Sequence, residues 1–208
     1  TKDEQMPRLK LQQQVLEALE AKEFLPFTTA QIKTTSAFKS GQNHWLQYED
    51  TSEARVAVVA STLHMLKSSY EDVARTLILV ESKEVANEYF EMFEALGKHT
   101  DLRIWTAYKG PNILNQKENI YFGADVVIAT PQRLNELLNI EGFNSAGLLT
   151  LVLDNADKLL KVGVNSFTQR ISDSVPNRQR ISLSVVNGKG VHTYMDRFAY
   201  PFTAGVLS

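Results

Sequence analysis

The segment 151–160, LVLDNADKLL, places two carboxylates where an apolar run ends. Asp154 and Asp157 flank Asn155 and Ala156. Acids directly after a strand-like segment are typical of a metal or phosphate site, because carboxylate oxygens are ligands for hard cations. The amide of Asn155 is nearly isosteric with a carboxylate but cannot act as a general base. The pattern indicates a metal or phosphate site from which one acid has been removed.

Composition limits the classes of function. The 208 residues are enough for one large domain or two small ones, and the net charge is −2, so a nucleic-acid site would have to be local. The absence of cysteine excludes disulfides and thiolate metal sites, and it favours a cytoplasmic location. The histidines lack metal-ligand spacing, and we expect no metal site; they are His44, His64, His99 and His192.

No apolar stretch approaches the length that spans a membrane, and we expect no membrane partner. Residues 1–10 lack the apolar core of a signal peptide, and we interpret them as an N-terminal extension of a domain at 11–208. The natural chain could be longer than this sequence.

Apolar runs rich in Val, Ile and Leu alternate with segments of helical periodicity, which indicates one α/β domain with a parallel sheet covered by helices on both faces. Trp45 and Trp105 fall on predicted strands and are expected in the core. A short strand is predicted at 43–48 and a last one at 178–186. The main parallel strands are predicted near 76–80, 102–107, 125–129, 149–153 and 180–185.

Ligands of such folds bind at the carboxyl ends of the strands. The loops there read, in order, YEDTSEAR, ESKE, YKGPN, TPQR, DNAD and SVV. From about Leu11 to Phe202, this order resembles the N-terminal RecA-like domain of the DEAD-box RNA helicases. The resemblance implies a RecA-like fold, an ATP site with Mg²⁺, an RNA surface and a second RecA-like domain.

The glycine-rich phosphate loop of that family falls on residues 50–55. Thr51 and Glu53 stand in place of glycines, Ala54 in place of the lysine and Arg55 in place of the Mg²⁺-binding hydroxyl. Such a loop needs glycine, lysine and a hydroxyl to cradle phosphates and Mg²⁺. We therefore expect no nucleotide cofactor; a solvated polar turn before a helix is the simpler interpretation of these residues.

The resemblance assigns the attacking-water carboxylate to the position of Asn155 and the Mg²⁺ carboxylate to Asp154. With an amide at the first and no phosphate cradle near the second, we expect no catalytic residue. In the alternative interpretation, Asp154 and Asp157 cap the helix that follows and favour its positive end.

Two further ATP-site motifs are altered. Gln31 matches the glutamine of the Q motif, but Gln14 lies near the position of the aromatic residue that stacks on adenine. At the last motif Ser184 is retained, whereas Val185 and Val186 replace alanine and threonine. Both changes favour loss of the ATP site.

The RNA-facing motifs are better preserved. Hydroxyls, helix N-termini and guanidinium groups are suitable phosphate ligands. In the alternative interpretation the TPQR residues begin a helix, with Thr130 as cap, Pro131 in the first turn and Arg133 paired with Glu136. The acidic residues from 81 to 94 are expected to form a solvated helix face; they are Glu81, Glu84, Glu88, Glu91 and Glu94. The predicted RNA-binding residues are Ser82, Lys83, Gly110, Thr130, Pro131 and Arg133.

Three hypotheses follow from the sequence. The first is a non-catalytic helicase-like module that binds single-stranded RNA, a second RecA-like domain or a partner protein. The second is an active ATP-dependent RNA helicase domain, which would need a different phosphate loop. The third is a protein-interaction domain without a nucleic-acid role.

Overall fold

A computed structural model describes residues 1–207, for Lys2 the backbone alone. Ser208, the last residue of the predicted domain, lies outside the described residues. Within them, the strands pair in the order β3-β4-β2-β5-β6-β1-β7, and every pairing is parallel. The strands are β1 (His44–Tyr48), β2 (Thr76–Leu79), β3 (Ile104–Ala107), β4 (Val126–Ala129), β5 (Thr150–Leu153), β6 (Gln179–Val185) and β7 (Thr203–Val206).

Helices connect these strands, and several begin at residues whose side chains satisfy free backbone N–H groups. Thr28, Ser82 and Asn112 each accept a hydrogen bond from the first turn of a helix. A 3₁₀ turn, Thr51–Ala54, joins β1 to the helix after it. The helices are α1 (Lys2–Leu9), α2 (Gln13–Ala21), α3 (Thr29–Lys39), α4 (Arg55–Leu66), α5 (Lys83–Leu96), α6 (Ile113–Tyr121), α7 (Pro131–Asn139), α8 (Ala156–Leu159), α9 (Asn165–Ser174) and α10 (Val191–Phe198).

The sheet is buried between two apolar cores. Successive strand residues point to opposite faces, so Ile78 packs with α2 to α5 whereas Leu77 and Leu79 pack with α6 to α10. Because both faces of the central strands are covered, β2 and β4 are buried at every position rather than at alternate ones. This arrangement confirms the predicted parallel, RecA-like sheet with helices on both faces.

The five main predicted strands are confirmed, as is the short strand near residues 43–48. The strand predicted at 178–186 is present as β6, but it is not the last one, because α10 and β7 follow it and β7 pairs with β1. Residues Lys2–Leu9 form α1, which packs on the domain: Leu9 is buried in the core, and the side chain of Gln5 hydrogen-bonds to the backbone of Phe27. Trp45 is buried as expected, and Trp105 is half-buried.

Since all strands are parallel, their carboxyl ends lie at one edge of the sheet. The 3₁₀ turn follows β1, Ser82 follows β2, Thr130 follows β4, and Asp154 directly follows β5. The fold therefore brings the sequence-predicted motifs to a common edge, where they form two neighbouring regions.

Candidate functional site

The first region is an ion cluster around Arg55, the first residue of α4. The guanidinium Nε donates to Asp154 Oδ2 at 3.1 Å, and Nη1 donates to Glu88 Oε2 at 2.6 Å. The guanidinium carbon lies 6.0 Å from the ring centre of Tyr89, which is fully buried. The side chains of Arg55 and Asp154 are 9% and 1% exposed, so this is a buried ion pair with a second, half-exposed acid, Glu88.

Burial dominates the electrostatics of the cluster. Removal from water raises the pKa of Asp154 to about 7, although the adjacent Arg55 guanidinium opposes the increase. Burial acts to lower the pKa of Arg55, but the charge of and hydrogen bond to Asp154, together with the electrostatic contributions of Tyr89 and Glu88, outweigh it, and the pKa is raised. Asp154 Oδ1 is buried without a hydrogen-bond partner among the described residues. The guanidinium is thus the principal polar partner of Asp154.

The alternative interpretation of the two acids is wrong for the side-chain cap, whereas Asp157 does lie in the first turn of α8, where a negative charge favours the positive end of the helix. Helix α8 has no side-chain cap, and Asp154 bonds to Arg55 instead. Asp157 Oδ1 accepts from the backbone N–H of Val185 at 3.4 Å, so it connects α8 to the end of β6. Asn155 has left-handed backbone angles, φ 55° and ψ 57°, and its Nδ2 donates to Glu81 Oε1 at 3.3 Å.

The 3₁₀ turn uses its own backbone N–H groups internally. The N–H of Ser52 donates to the Asp50 carboxylate, that of Glu53 to the Asp50 carbonyl and that of Arg55 to the Ser52 carbonyl. Thr51 and Ala54 are buried, so the turn is less solvated than the sequence suggested. Gln31 fixes the turn from outside, because its Nε2 donates to the Glu53 carbonyl at 2.9 Å.

The end of β6 is held by a different contact. Trp45 Nε1 donates to Ser184 Oγ at 2.8 Å, and that hydroxyl donates to the Val185 carbonyl at 2.7 Å. Ser184 is fully buried, whereas Val185 and Val186 are 38% and 40% exposed. The retained serine hydroxyl therefore has a structural partner in Trp45.

The second region is an open groove with a volume of about 270 Å³. Three of the six sequence-predicted RNA residues line it: Lys83, Thr130 and Pro131. Lys83 and Lys109 are exposed at its rim. We call this region the basic groove, and its lining comprises Glu81, Lys83, Tyr108, Lys109, Thr130, Pro131, Gln132, Gly163, Val164 and Phe167.

The other three predicted residues are placed differently. Arg133 is buried: its Nη1 lies 3.5 Å from Glu136 Oε2, and its Nη2 donates to the Pro111 carbonyl at 3.5 Å. Gly110, with a positive φ of 135°, follows Lys109 on the loop after β3. Ser82 caps α5 by accepting from the Val85 N–H at 3.3 Å. Of these, Arg133 is turned into the protein rather than toward the groove.

The sequence model of the DEAD/DEAH box helicase family matches residues 56–186, more than half of the chain. The chain belongs to the DEAD/DEAH box helicase family. The matched segment begins one residue after Arg55 and includes both Asp154 and the residues that line the basic groove.

Curated relatives in the family carry names of ATP-dependent RNA helicases. RhlB of Pseudoalteromonas atlantica is 26% identical over 179 residues, which cover 84% of this chain and 42% of the relative. SrmB of Escherichia coli is 27% identical over 195 residues, which cover 91% of this chain and 44% of SrmB. The chain thus spans less than half the length of these relatives.

Solved structures of the family share the fold. A DEAD box protein from the hyperthermophile Methanococcus jannaschii has a TM-score of 0.90 at 19% identity, and the match covers 98% of this chain and 56% of that protein's chain. Dbp5 of S. cerevisiae, solved bound to Gle1 and IP6, has a TM-score of 0.85 at 19% identity, and the match covers 98% of this chain and 52% of the Dbp5 chain.

The sequence analysis of this DEAD-box domain missed the partners of Arg55. Glu88 was assigned to a solvated helix face, but it is 49% exposed and paired with Arg55. Glu81, assigned to the same face, accepts from Asn155. The available signal was Arg55 itself, since a guanidinium at the start of the apolar segment VAVVA requires a buried acid. The aromatic residues of the groove, Tyr108 and Phe167, were not singled out either.

Two findings concern other kinds of site. Across residues 1–207, none of the helices is both long and apolar enough to cross a membrane. Over the same range, there is no group of three or more His, Asp or Glu side chains positioned to hold a metal ion.

Proposed function

We propose that this DEAD-box domain is a non-catalytic module that binds single-stranded RNA weakly through the basic groove. The observation that carries the loss of catalysis is the Arg55–Asp154 ion pair. The Arg55 guanidinium is hydrogen-bonded to the Asp154 carboxylate, which the family resemblance assigns to Mg²⁺ binding.

The residues present do not fit Mg²⁺-ATP. A guanidinium remains protonated in proteins, so a divalent cation at Asp154 would meet a permanent positive charge 3.1 Å from the same carboxylate oxygen. The remaining oxygen, Asp154 Oδ1, is buried. Binding of Mg²⁺ would therefore require displacement of Arg55 from its two acids.

The phosphate-loop position argues in the same direction. Phosphates bind to backbone N–H groups that are free to point at them. In the 3₁₀ turn, the N–H groups of Ser52, Glu53 and Arg55 already have partners within the turn. The carboxylates of Asp50 and Glu53 would add repulsion to any nucleotide phosphate.

Asn155 removes the remaining chemistry. General-base catalysis is worth about 10²–10⁴-fold, and an amide cannot supply it. The Glu81 carboxylate accepts a hydrogen bond from that amide. Loss of the catalytic carboxylate adds to the loss of the Mg²⁺ and phosphate contacts, and catalytic groups of this kind act as a unit.

The basic groove supports the RNA part of the proposal. Lys83 and Lys109 provide two exposed positive charges, and α7 begins there with Thr130 free of any side-chain cap bond. Phosphate contacts of this kind fix a nucleic acid without reading its sequence. With few positive charges and a net charge of −2, affinity should be low and should decrease steeply with salt.

The names of the curated relatives favour a second candidate, an ATP-dependent RNA helicase domain that acts with a further RecA-like domain. That function requires nucleotide binding, which separates the two candidates experimentally.

The test is an ATP–Mg²⁺ titration by calorimetry, with RNA-stimulated phosphate release measured in parallel. We expect no saturable binding heat at ATP concentrations below about 1 mM, which corresponds to a binding free energy weaker than roughly 4 kcal/mol. We also expect no phosphate release. Phosphate release that Asp154→Asn abolishes while the variant remains folded would establish the helicase candidate instead.

RNA binding is tested separately by fluorescence anisotropy with a short labelled single strand at low and moderate salt. Binding at low salt that weakens with added salt supports the proposal. Absence of binding at low salt would leave a protein-interaction module as the function of the domain.

A further inference from the structure

We propose that the basic groove also takes one unpaired RNA base, stacked against Tyr108 and Phe167, and does not contact the RNA backbone alone. This inference rests on the proposed RNA binding and adds a ligand class to it. Its basis is the aromatic and apolar lining of the groove, which phosphate binding does not require.

The two aromatic side chains come from different elements. Tyr108 follows β3, and Phe167 lies in the first turns of α9. Both residues line the groove and are half-buried. Val164 and Pro131 also line it and add apolar surface.

The aromatic walls are held in place before any ligand binds. The Tyr108 hydroxyl donates to Asn87 Oδ1 at 3.1 Å, and its backbone carbonyl accepts from Gln116 Nε2 at 3.0 Å. The backbone N–H of Phe167 donates to the Val164 carbonyl at 3.0 Å. A site whose walls are already ordered loses less entropy on binding.

Size and charge match a nucleotide. A volume of about 270 Å³ lies just below the range of about 300–1,000 Å³ that is usual for drug-sized ligands, which suits a single base. Lys83 and Lys109 at the rim can contact the phosphates on either side of a stacked base. An aromatic surface beside basic side chains is the general arrangement for unpaired nucleic acid.

The experiment compares two labelled RNAs of equal length and charge, one an ordinary single strand and one with abasic riboses at its central positions. Loss of stacking costs about 1–3 kcal/mol per base, so we expect the abasic RNA to bind about five-fold or more weakly by anisotropy at low salt. Phe167→Ala should weaken the ordinary RNA to the level of the abasic RNA and leave the abasic RNA unchanged.

Two variants control for folding and for general aromatic contact. Phe167→Leu retains apolar volume without a π face, so it should lose the preference for the ordinary RNA while unfolding at an unchanged temperature. Phe122→Ala removes a phenylalanine that is 71% exposed at the end of α6, outside the groove, and should have no effect.

Equal, salt-dependent binding of both RNAs would overturn the base site and leave the proposed RNA function intact. Absence of binding by either RNA would overturn both. If Phe167→Ala weakened the binding of both RNAs equally, the ring would have a structural role, and this result would also overturn the base site.

Discussion

Two regions at the same edge of the sheet have opposite character. The Arg55 cluster is closed: Asp154 and Glu88 hold the guanidinium, and three N–H groups of the adjoining 3₁₀ turn are bonded within the turn. The basic groove is open, with two exposed lysines and two aromatic walls. Parallel strands bring both regions to one edge, but the fold does not decide what each edge loop binds. At the positions where the family resemblance places glycine, lysine and a hydroxyl, this chain has Glu53, Ala54 and Arg55, and Ala54 and Arg55 are buried.

Asp154→Ala should have the largest effect of the changes considered. It leaves the Arg55 guanidinium buried with only the half-exposed Glu88 as partner, and breaking a buried pair costs about 3–5 kcal/mol. Urea unfolding measures the loss in the free energy of unfolding. The matched control is the double variant Arg55→Met, Asp154→Leu, which replaces both charges with apolar groups and should recover most of the stability. A loss below about 1 kcal/mol on Asp154→Ala would mean that the pair is not the closed element described here.

The pH dependence of stability should carry the signature of the same carboxyl. Burial raises the folded-state pKa of Asp154 from 3.8 to about 7, so the folded state holds its proton more tightly than the unfolded state. Its contribution to stability is therefore fully present below about pH 3.8 and is lost as pH rises to about 7. The difference in unfolding free energy between the native protein and Asp154→Asn, followed from pH 4 to 8, should change by a few kcal/mol at most. A difference that is constant over this range would contradict the raised pKa.

The backbone framework of both regions follows from sequence, but their side-chain contacts do not. Runs such as TLIL and VVIA predict buried parallel strands, and the parallel sheet then places Lys83 and Thr130 at one edge. Arg55 reaches Asp154, 99 residues away, and Glu88 on α5, and no periodicity encodes such a contact. For Arg133 the sequence offered both an RNA contact and the pairing with Glu136 that the structure has, but TPQR alone does not decide between them. β7 was missed because TAGV is short, exposed and weakly apolar.

Lys83→Ala with Lys109→Ala tests the open region. Removing two phosphate contacts should weaken single-stranded RNA binding about ten-fold at low salt and reduce the log–log salt slope by about 1.4. Anisotropy titrations at several salt concentrations give both quantities. Arg133→Ala is the informative control: its side chain is buried against Glu136, so it should lower the unfolding temperature and leave the salt slope unchanged. If Arg133→Ala reduced the slope and the lysine variant did not, the groove would be assigned to the wrong residues.

Asn155→Asp should have the smallest effect, and it addresses the boundary between the two regions. Asn155 follows Asp154 directly, while its amide donates to Glu81, which lines the basic groove. An aspartate there would restore the acid of the family motif, but it would face the Glu81 carboxylate across a contact that is now 3.3 Å. We expect a loss of about 0.5–1 kcal/mol in unfolding free energy, reduced by salt because Glu81 is exposed. Adding Glu81→Gln should remove the repulsion and recover that loss. Neither variant should release phosphate from ATP, because Arg55 is still paired with Asp154 and the N–H groups of Ser52, Glu53 and Arg55 are still bonded within the 3₁₀ turn. Phosphate release by Asn155→Asp would show that the missing acid alone separates this domain from an active one, and that the Arg55 cluster opens when nucleotide arrives.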